Sequence, residues 1–264
     1  MIDAQVHSIP NGAIVFDAAL FDPAAAGTSH ARYPDETWFD PAHWSTQGKS
    51  EARAGGRGGV AFVETPLGAC VLRHYHRGGL AASVSADRYL WISAVRTRSF
   101  REFDLLARLT DCGLPVPAPI AARYIRESAG YRADLLMRRL TSVQTLAERL
   151  AAQSLDRTLA GRVGRTLARF HQTGVWHADL NAHNILVDEA EGVWLIDFDK
   201  GRLRKPALAW QKSNLARLRR SFDKLGARTD RAGFDVTFWH PLLAAYHATF
   251  TARAVADPET GAPR

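Results

Sequence analysis

The amino-acid sequence predicts an α+β protein of two lobes, an N-terminal antiparallel sheet lobe with one helix and a mainly helical C-terminal lobe. Strand and hairpin patterns lie between residues 60 and 136, and helical spacing of apolar residues dominates after a linker near 137–141. A chain of 264 residues is long enough for two small lobes around a cleft. We therefore expect an N-terminal lobe over residues 1–136 and a C-terminal lobe over residues 137–264.

The first predicted elements are a hairpin and a helix. The turn signal Pro66-Leu67-Gly68 separates two short apolar runs, which is typical of a β-hairpin. Further along, apolar residues recur at helical spacing before Gly113, a plausible helix end: Phe100, Phe103, Leu106 and Leu109. The prolines within residues 114–120 exclude a helix there, so we expect a strand near residues 120–125 and a second strand in residues 131–140.

The second half is predicted to hold two long helices and a small hairpin between them. The first helix ends at Gly174 and carries one apolar stripe: Leu159, Val163, Leu167 and Phe170. The hairpin has strands over residues 184–187 and 193–197, with a turn over residues 189–192. A basic helix follows, and its predicted buried side consists of Leu208, Leu215, Leu218 and Phe222.

The composition is that of a globular protein, with 46% hydrophobic and 23% charged residues. Cys70 and Cys112 indicate neither a disulfide framework nor a metal site. No apolar run approaches the roughly 20 residues of a membrane span, and the N-terminus lacks the basic start of a signal peptide, so we expect a cytoplasmic protein. The net charge of +7 suits nucleic acid, a phosphorylated small molecule or an anionic membrane surface, and does not select among them.

Polar residues that suit a metal site lie within the otherwise apolar segment 174–200. Asp179 starts a loop, Asn184 precedes the first strand of the hairpin, and Asp197 ends the second. The hairpin would bring Asn184 and Asp197 together at one end, with Asp179 close by. Such oxygen ligands suit Mg²⁺, and Asp179 would orient or deprotonate a hydroxyl, as phosphoryl transfer requires. The alternative is a polar hairpin whose side chains only cap turns.

The spacing resembles the catalytic loop and metal-binding motif of the protein-kinase-like superfamily. The matching pattern is His177-x-Asp179-Leu180-x-x-x-Asn184, followed by Asp197-Phe198. The sequence departs from the protein-kinase pattern at two positions. Asn181 replaces the lysine that usually lies two residues after the catalytic aspartate, and Asp199 replaces the glycine of Asp-Phe-Gly. Gly201 is expected to supply the backbone freedom instead. With no activation-loop signature afterwards, a regulated protein kinase is not expected.

The kinase resemblance implies further parts upstream that bind ATP. Gly56 and Gly58 are candidates for a phosphate-covering loop, although their cluster departs from the kinase pattern and also fits a plain flexible turn. Arg73 stands where kinases usually carry the lysine that holds the α- and β-phosphates, with His74 and Arg77 as rivals. Glu102 would be the ion-pair partner of that cation, and a solvent-exposed surface glutamate is the alternative.

A narrower resemblance covers about residues 10 to 225. Five motifs together look like the 3-deoxy-D-manno-octulosonic acid (Kdo) kinase family: "WFDPAHW", "GGRGG", "VLRHYHRGGL", "SFREFDLLARL…GLPVPAPIAARY" and "HADLNAHNILVD…LIDFDKGRLR". The family implies transfer of the ATP γ-phosphate to the 4-hydroxyl of Kdo on a lipid A precursor, in lipopolysaccharide inner-core assembly. It also implies a Gram-negative source and peripheral contact with the cytoplasmic face of the inner membrane.

The resemblance implies roles for individual residues. It implies Asp179 as the catalytic base, Asn184 and Asp197 as Mg²⁺ ligands, and Arg73 with Glu102 as the cation pair for ATP. His177 is expected to brace the loop and not to do chemistry. The anionic glycolipid partner would suit a run of cations that follows the hairpin: Arg202, Arg204, Lys205, Lys212, Arg217, Arg219 and Arg220. An ordinary solvated helix face is the alternative for that run.

The sequence leaves alternatives to a Kdo kinase. A lipopolysaccharide heptose kinase would share the catalytic loop and differ in its acceptor. A non-catalytic pseudokinase that binds anionic glycolipid would not need Asp179, Asn184 and Asp197 together. An antibiotic phosphotransferase is disfavoured, because its cationic substrate calls for an acidic cleft and this chain is basic. No nucleic-acid or protein partner is implied, since basic residues do not interleave with aromatics along one sheet. Trp38 and Trp44 could stack on a sugar, but core packing is the favoured role.

Overall fold

The computed structural model describes residues 1–21, 33–46, 50–51, 59–75 and 89–256. The chain divides into two compact units, Met1–Arg139 and Leu140–Arg264. The α+β class is confirmed, because the N-terminal unit is built on an antiparallel sheet and the C-terminal unit is mainly helical. The division follows the strand Gly130–Arg138, whereas the expected boundary between residues 136 and 137 falls inside that strand.

The described strands of the N-terminal unit form one antiparallel sheet. They are β1 (Ala4–Ile9), β2 (Gly12–Asp17), β3 (Ser50–Glu51), β4 (Val60–Thr65), β5 (Gly68–His74), β6 (Tyr89–Leu90), β7 (Pro119–Glu127) and β8 (Gly130–Arg138). Their order is β1-β2-β7-β8-β5-β4-β3, and β6 pairs with β8. The predicted hairpin is β4–β5, where Gly68 takes a φ of 96° in the turn. The two strands predicted after the prolines are β7 and β8.

The β1–β2 hairpin was not predicted from the sequence. Its turn is Pro10-Asn11, and Asn11 adopts a left-handed φ of 60°. β2 then pairs with β7, and a Cβ on Gly12 would lie 2.1 Å from the carbonyl oxygen of Tyr124. Proline at the first central position and asparagine at the second suit a turn that needs positive φ at the second, so the sequence contained a signal for this hairpin.

The described residues of the N-terminal unit also form two α-helices, a short α1 (Pro41–Thr46) and the predicted helix α2 (Arg98–Asp111). The apolar positions of α2 are buried as predicted, and α2 packs on β7 and β8. α1 places Trp44 in the core cluster on the sheet, where Trp44 is 2% exposed and contacts Trp38 edge-to-face at 5.5 Å. Core packing is therefore the role of Trp44, and Trp38 packs partly buried against the same cluster.

The described part of the C-terminal unit combines helices with three small strand pairings. Its α-helices are α3 (Leu146–Ala151), α4 (Arg157–Gln172), α5 (Leu208–Phe222), α6 (Arg231–Phe234) and α7 (His240–Ala256). Its strands are β9 (Gln144–Thr145), β10 (Val175–Trp176), β11 (Ile185–Val187), β12 (Val193–Leu195) and β13 (Arg202–Leu203). β11 pairs with both β9 and β12, and β10 pairs with β13. No helix in the described part of the chain is long and apolar enough to cross a membrane.

The buried face of α5 differs from the prediction at its first residue. Leu215, Leu218 and Phe222 are buried as expected, but Leu208 is 70% exposed. Helical side chains tilt toward the N-terminus, so the side chain of a first residue extends past the helix end. The buried face instead includes two polar residues: Gln211 and Asn214.

A buried histidine joins α4 to α7. His171 Nδ1 and Tyr246 Oη share a hydrogen bond of 2.7 Å. Burial lowers the pKa of His171 from 6.5 to about 4. On acidification, His171 therefore binds a proton near pH 6.5 in the unfolded chain but only near pH 4 in the folded chain. Folding stability from this group is complete above that window and is lost as the pH falls through it.

We expect His171 to make folding acid-sensitive. A pKa difference of this size corresponds to about 3 kcal/mol of unfolding free energy. Urea unfolding of the wild type and of His171→Gln at several pH values measures the effect as the difference between the two slopes. The variant should lose less stability than the wild type as the pH falls from 6.5 to 4. Equal slopes for both proteins would contradict the prediction.

Candidate active site

The loop between β10 and β11 is organised around His177. Its backbone N–H donates to Asn214 Oδ1 at 3.2 Å, and its carbonyl accepts from Asn214 Nδ2 at 3.0 Å. The ring reaches in the other direction, because Nε2 donates to the carbonyl of Ile196 at 2.9 Å. His177 thus links the loop, α5 and the end of β12, which is the bracing role expected from the sequence.

The charge state of His177 follows from its partners and its burial. A carbonyl only accepts, so Nε2 carries the proton, and Nδ1 accepts the backbone N–H of Asp179 at 3.2 Å. His177 is 2% exposed, and burial lowers its pKa. The ring is therefore neutral at pH 7 and orients the Asp179 backbone without contributing charge.

Asp179 combines a fixed backbone with an accessible carboxylate. Its carbonyl accepts hydrogen bonds of 3.0 Å from the side chains of Asn181 and Asn184. Its own side chain is 59% exposed, with Oδ2 accepting from Asn181 Nδ2 at 3.1 Å and Oδ1 from Arg217 at 3.3 Å. An accessible carboxylate on a rigid backbone can orient a hydroxyl and take its proton.

Asn184 and Asp197 occupy the same end of the β11–β12 hairpin. The carbonyl of Asn184 accepts from the Ile196 N–H at 3.1 Å, so the pairing continues one step beyond Ile185 and Leu195, and Asp197 is the next residue. The structure therefore places Asn184 and Asp197 at the same end of the hairpin, as the sequence predicted. Asp197 has a left-handed φ of 63°, an uncommon conformation for a non-glycine residue and one that clusters at functional sites.

The chemistry of this pair fits Mg²⁺. The amide nitrogen of Asn184 donates to Asp179, which leaves its amide oxygen as the ligating atom. One amide oxygen and one carboxylate are hard ligands, and Mg²⁺ usually takes one or two protein carboxylates and completes its shell with phosphate and water. Within the described residues, no group of three or more His, Cys, Asp or Glu side chains is arranged to hold a metal ion. The two side chains therefore fit a Mg²⁺ ion that takes its other ligands from elsewhere.

The residues after Asp197 correct one expectation. Phe198 is buried against the ring of His177 at 4.9 Å and stacks on Phe170 at 6.0 Å. The left-handed conformation falls on Lys200, with a φ of 62°, and not on Gly201. The physical reason is a tight turn in which the Gly201 N–H donates to the Phe198 carbonyl at 2.7 Å, which places Lys200 at the position that needs positive φ.

In the N-terminal unit, Arg73 and Glu102 form the predicted ion pair. Arg73 Nη1 lies 3.2 Å from Glu102 Oε1, and the Glu102 side chain is 2% exposed, so the surface-glutamate alternative is wrong. The second carboxylate oxygen accepts from Tyr75 Oη at 2.6 Å. Burial and the Glu102 charge raise the pKa of Tyr75 well above its usual value, so the phenol remains a donor. Tyr75 was not predicted, although it follows Arg73 by two residues, the spacing of one strand face.

The rival cations are placed differently. His74 Nδ1 lies 2.7 Å from Asp134 Oδ1, and Arg123 Nη2 lies 2.8 Å from the second oxygen of the same carboxylate. His74 therefore belongs to a network separate from Glu102. Arg77, together with the predicted glycines Gly56 and Gly58, lies outside the described residues. The role of Arg73 in binding ATP stays a prediction.

The basic run after the hairpin is not one uniform surface. Arg219 is 14% exposed and is paired with both Asp223 and Asp235, so it is an internal contact of the C-terminal unit and not a lipid ligand. The guanidinium of Arg204 lies over the ring of Trp176 at 4.0 Å. Every residue from 202 to 209 is exposed, and this exposed segment includes Arg202, Arg204 and Lys205.

Comparisons with known proteins agree with this architecture. Residues 41–246 match the model of the lipopolysaccharide kinase (Kdo/WaaP) family. The 3-deoxy-D-manno-octulosonic acid kinase of Xanthomonas axonopodis pv. citri (strain 306) is 50% identical over 221 residues, 83% of this chain and 86% of that protein. The protein of the same description from Stenotrophomonas maltophilia (strain K279a) is 48% identical over 231 residues, 85% of both chains.

Proposed function

The chain belongs to the lipopolysaccharide kinase (Kdo/WaaP) family, and we propose from that premise that it is a 3-deoxy-D-manno-octulosonic acid (Kdo) kinase. It transfers the γ-phosphate of ATP to the 4-hydroxyl of Kdo on a lipid A precursor, during lipopolysaccharide inner-core assembly. The relatives described as Kdo kinases support the choice of sugar. The observation that carries the reaction type is the exposed Asp179 carboxylate on a backbone held by His177 and Asn184.

Asp179 acts as the general base in this proposal. Its exposed carboxylate accepts the hydrogen bond of the 4-hydroxyl and takes the proton as the oxygen attacks the γ-phosphorus. The bond between the sugar oxygen and phosphorus forms while the bond to the ADP oxygen breaks. Neutral His177 and Asn184 keep the Asp179 backbone in place, so the carboxylate does not need to reorganise during transfer.

Asn184, Asp197, Arg73 and Glu102 are the proposed ATP-handling residues. Mg²⁺, when bound, neutralises charge on the phosphates, and Asn184 with Asp197 would hold it. Arg73 would contact the α- and β-phosphates, since a guanidinium binds phosphate oxygens well. Glu102 and Tyr75 fix the direction of Arg73 in the N-terminal unit. Gly56 and Gly58 are proposed to cover the phosphates from the sequence pattern alone.

The experiment that tests the function is mass spectrometry of defined acceptors after incubation with the protein, ATP and Mg²⁺. We expect a gain of one phosphate on a Kdo–lipid A precursor, with the phosphate assigned to the Kdo 4-position by fragmentation. A heptosylated core acceptor and a reaction with excess chelator are the controls. Phosphate on heptose would favour a heptose kinase, and a bound acceptor without transfer would favour the pseudokinase.

We also propose that the enzyme contacts the cytoplasmic face of the inner membrane through the exposed segment 202–209. Leu203 and Leu208 are 42% and 70% exposed, next to Arg202, Arg204 and Lys205. Exposed leucines beside cations suit an anionic leaflet, where each basic residue contributes about 1 kcal/mol. The lipid-linked acceptor would be met at the same surface.

Replacing Leu208 by glutamate should weaken binding to vesicles that contain anionic phospholipid. We expect a loss of about tenfold, because an apolar contact is removed and a repelled charge is added. Leu90→Glu is the matched control, since Leu90 is also 70% exposed but lies in the N-terminal unit. Sedimentation with anionic and zwitterionic vesicles measures both. A larger loss in the control than in Leu208→Glu would contradict the assignment of this surface.

A further inference from the structure

The positive charge beside Asp179 comes from outside the catalytic loop. Arg217 Nη1 donates to Asp179 Oδ1 across 3.3 Å. The loop over residues 177–184 contains no lysine or arginine, and Asn181 occupies the position of the usual kinase lysine. Phosphoryl transfer depends on positive charge near the transferred group, because its oxygens carry negative charge throughout. α5 therefore brings a cation to a loop that has none of its own.

One face of α5 is turned toward the catalytic loop. Asn214 brackets the His177 backbone with hydrogen bonds of 3.2 and 3.0 Å, and Ser221 Oγ accepts from the Ala182 N–H at 2.9 Å. Arg217 lies three residues after Asn214 and four before Ser221, the spacing of neighbours on one helix face. The contacts on either side therefore fix the backbone of Arg217 close to Asp179.

The Arg217–Asp179 contact is poorly explained as a structural ion pair. The Arg217 and Asp179 side chains are 48% and 59% exposed, and ion pairs between groups so exposed contribute little to stability. Asp179 does not need Arg217 for its orientation either, because Asn181 donates to its other carboxylate oxygen at 3.1 Å. An accessible guanidinium on a fixed backbone is instead suited to binding a ligand.

We propose that Arg217 is a catalytic residue that binds the transferred phosphoryl group, an inference that rests on the proposed kinase function. Before transfer its guanidinium pairs with the Asp179 carboxylate. During transfer the sugar oxygen–phosphorus bond forms, the bond from phosphorus to the ADP oxygen breaks, and the hydroxyl proton passes to Asp179. The carboxyl becomes neutral, so the guanidinium keeps its strongest interaction with the phosphoryl oxygens. Its five N–H groups allow both contacts during the exchange.

Steady-state kinetics on the Kdo–lipid A precursor test this role. We expect Arg217→Ala to lower kcat by about 10²-fold, with a melting temperature close to that of the wild type. The KM values for ATP and for the acceptor should change by no more than about threefold, because the contact is made in the transition state. Arg217→Lys should recover part of the lost kcat. Arg165→Ala, which removes an exposed arginine from α4, is the control for the change in charge.

A thio-substituted donor separates contact with the phosphoryl group from a structural effect. Wild-type rates with ATP and with ATPγS should differ, and the ratio should shrink toward one in Arg217→Ala, since the contact that sulfur weakens is already gone. An unchanged ratio, a kcat within twofold of the wild type, or a rise in acceptor KM alone would each overturn the proposal. Absence of transfer by the wild type would overturn the proposed function as well, whereas a kcat of Arg217→Ala within twofold of an active wild type overturns this inference alone.

Discussion

Asp179→Ala is expected to reduce kcat by at least about 10²-fold, the usual contribution of a general base. The fold should survive, because the Asp179 backbone keeps its hydrogen bonds to His177, Asn181 and Asn184 when the side chain is removed. The side chain is 59% exposed, so truncation leaves no buried cavity. ATP should still bind, since Asn184 and Asp197 are unchanged. Transfer of radiolabelled phosphate to the Kdo acceptor measures the loss.

Asp179→Asn is the stricter variant for the same assignment. Asparagine keeps the shape of the side chain and can still accept a hydrogen bond, but it cannot take the hydroxyl proton. We expect it to be as inactive as the alanine variant, while circular dichroism and thermal unfolding remain those of the wild type. Near-normal transfer by either variant would contradict the role of Asp179 as base.

Loss of Mg²⁺-dependent ATP binding is the expected result of replacing Asp197. Asp197 provides the carboxylate of the candidate pair, and without it Asn184 offers a single neutral oxygen. Asp197→Asn is the better substitution, because asparagine tolerates the left-handed φ of 63° whereas alanine at that backbone adds strain. Asp197→Ala should show the same loss of binding together with some loss of stability.

Titration calorimetry with ATP, with and without Mg²⁺, checks the Asp197 prediction apart from catalysis. The wild type should bind ATP more tightly when Mg²⁺ is present, and Asp197→Asn should show the same weak binding in both conditions. Glu189→Ala is the control, since Glu189 is an exposed carboxylate at the other end of the same hairpin. A Mg²⁺ effect that survives in Asp197→Asn would remove Asp197 from the metal site.

Much of the fold was predictable because local signals agreed with the final packing. The β4–β5 hairpin, α2, β7, β8, α4 and the β11–β12 hairpin all lie where turn residues and apolar periodicity placed them. The β1–β2 hairpin also has a local signal, since Pro10 and Asn11 suit the two central positions of its turn. Leu208 shows the limit of periodicity, since a helical stripe predicts which side chains share a face and not whether another element covers the first turn.

The candidate site also contains residues that were predictable from the sequence and residues that were not. Asp179, Asn184 and Asp197 were predictable because they lie on one short loop and hairpin, where chain connectivity alone limits their separation. Their supporting residues were not, and these are contributed by α5: Asn214, Arg217 and Ser221. Arg217 was seen in the sequence only as one cation among several, because its charge is evident there and its neighbour is not.

The sequence by itself determined the fold class, the family and the segment that carries the chemistry, because these depend on local spacing and on matches along the chain. The tertiary structure decided that Glu102 is buried with Arg73 and Tyr75, that Arg219 is held by two aspartates, and that Arg217 contacts Asp179. These contacts join residues from different elements. Which charges meet is set by how helices and strands pack, and that packing depends on the whole core at once.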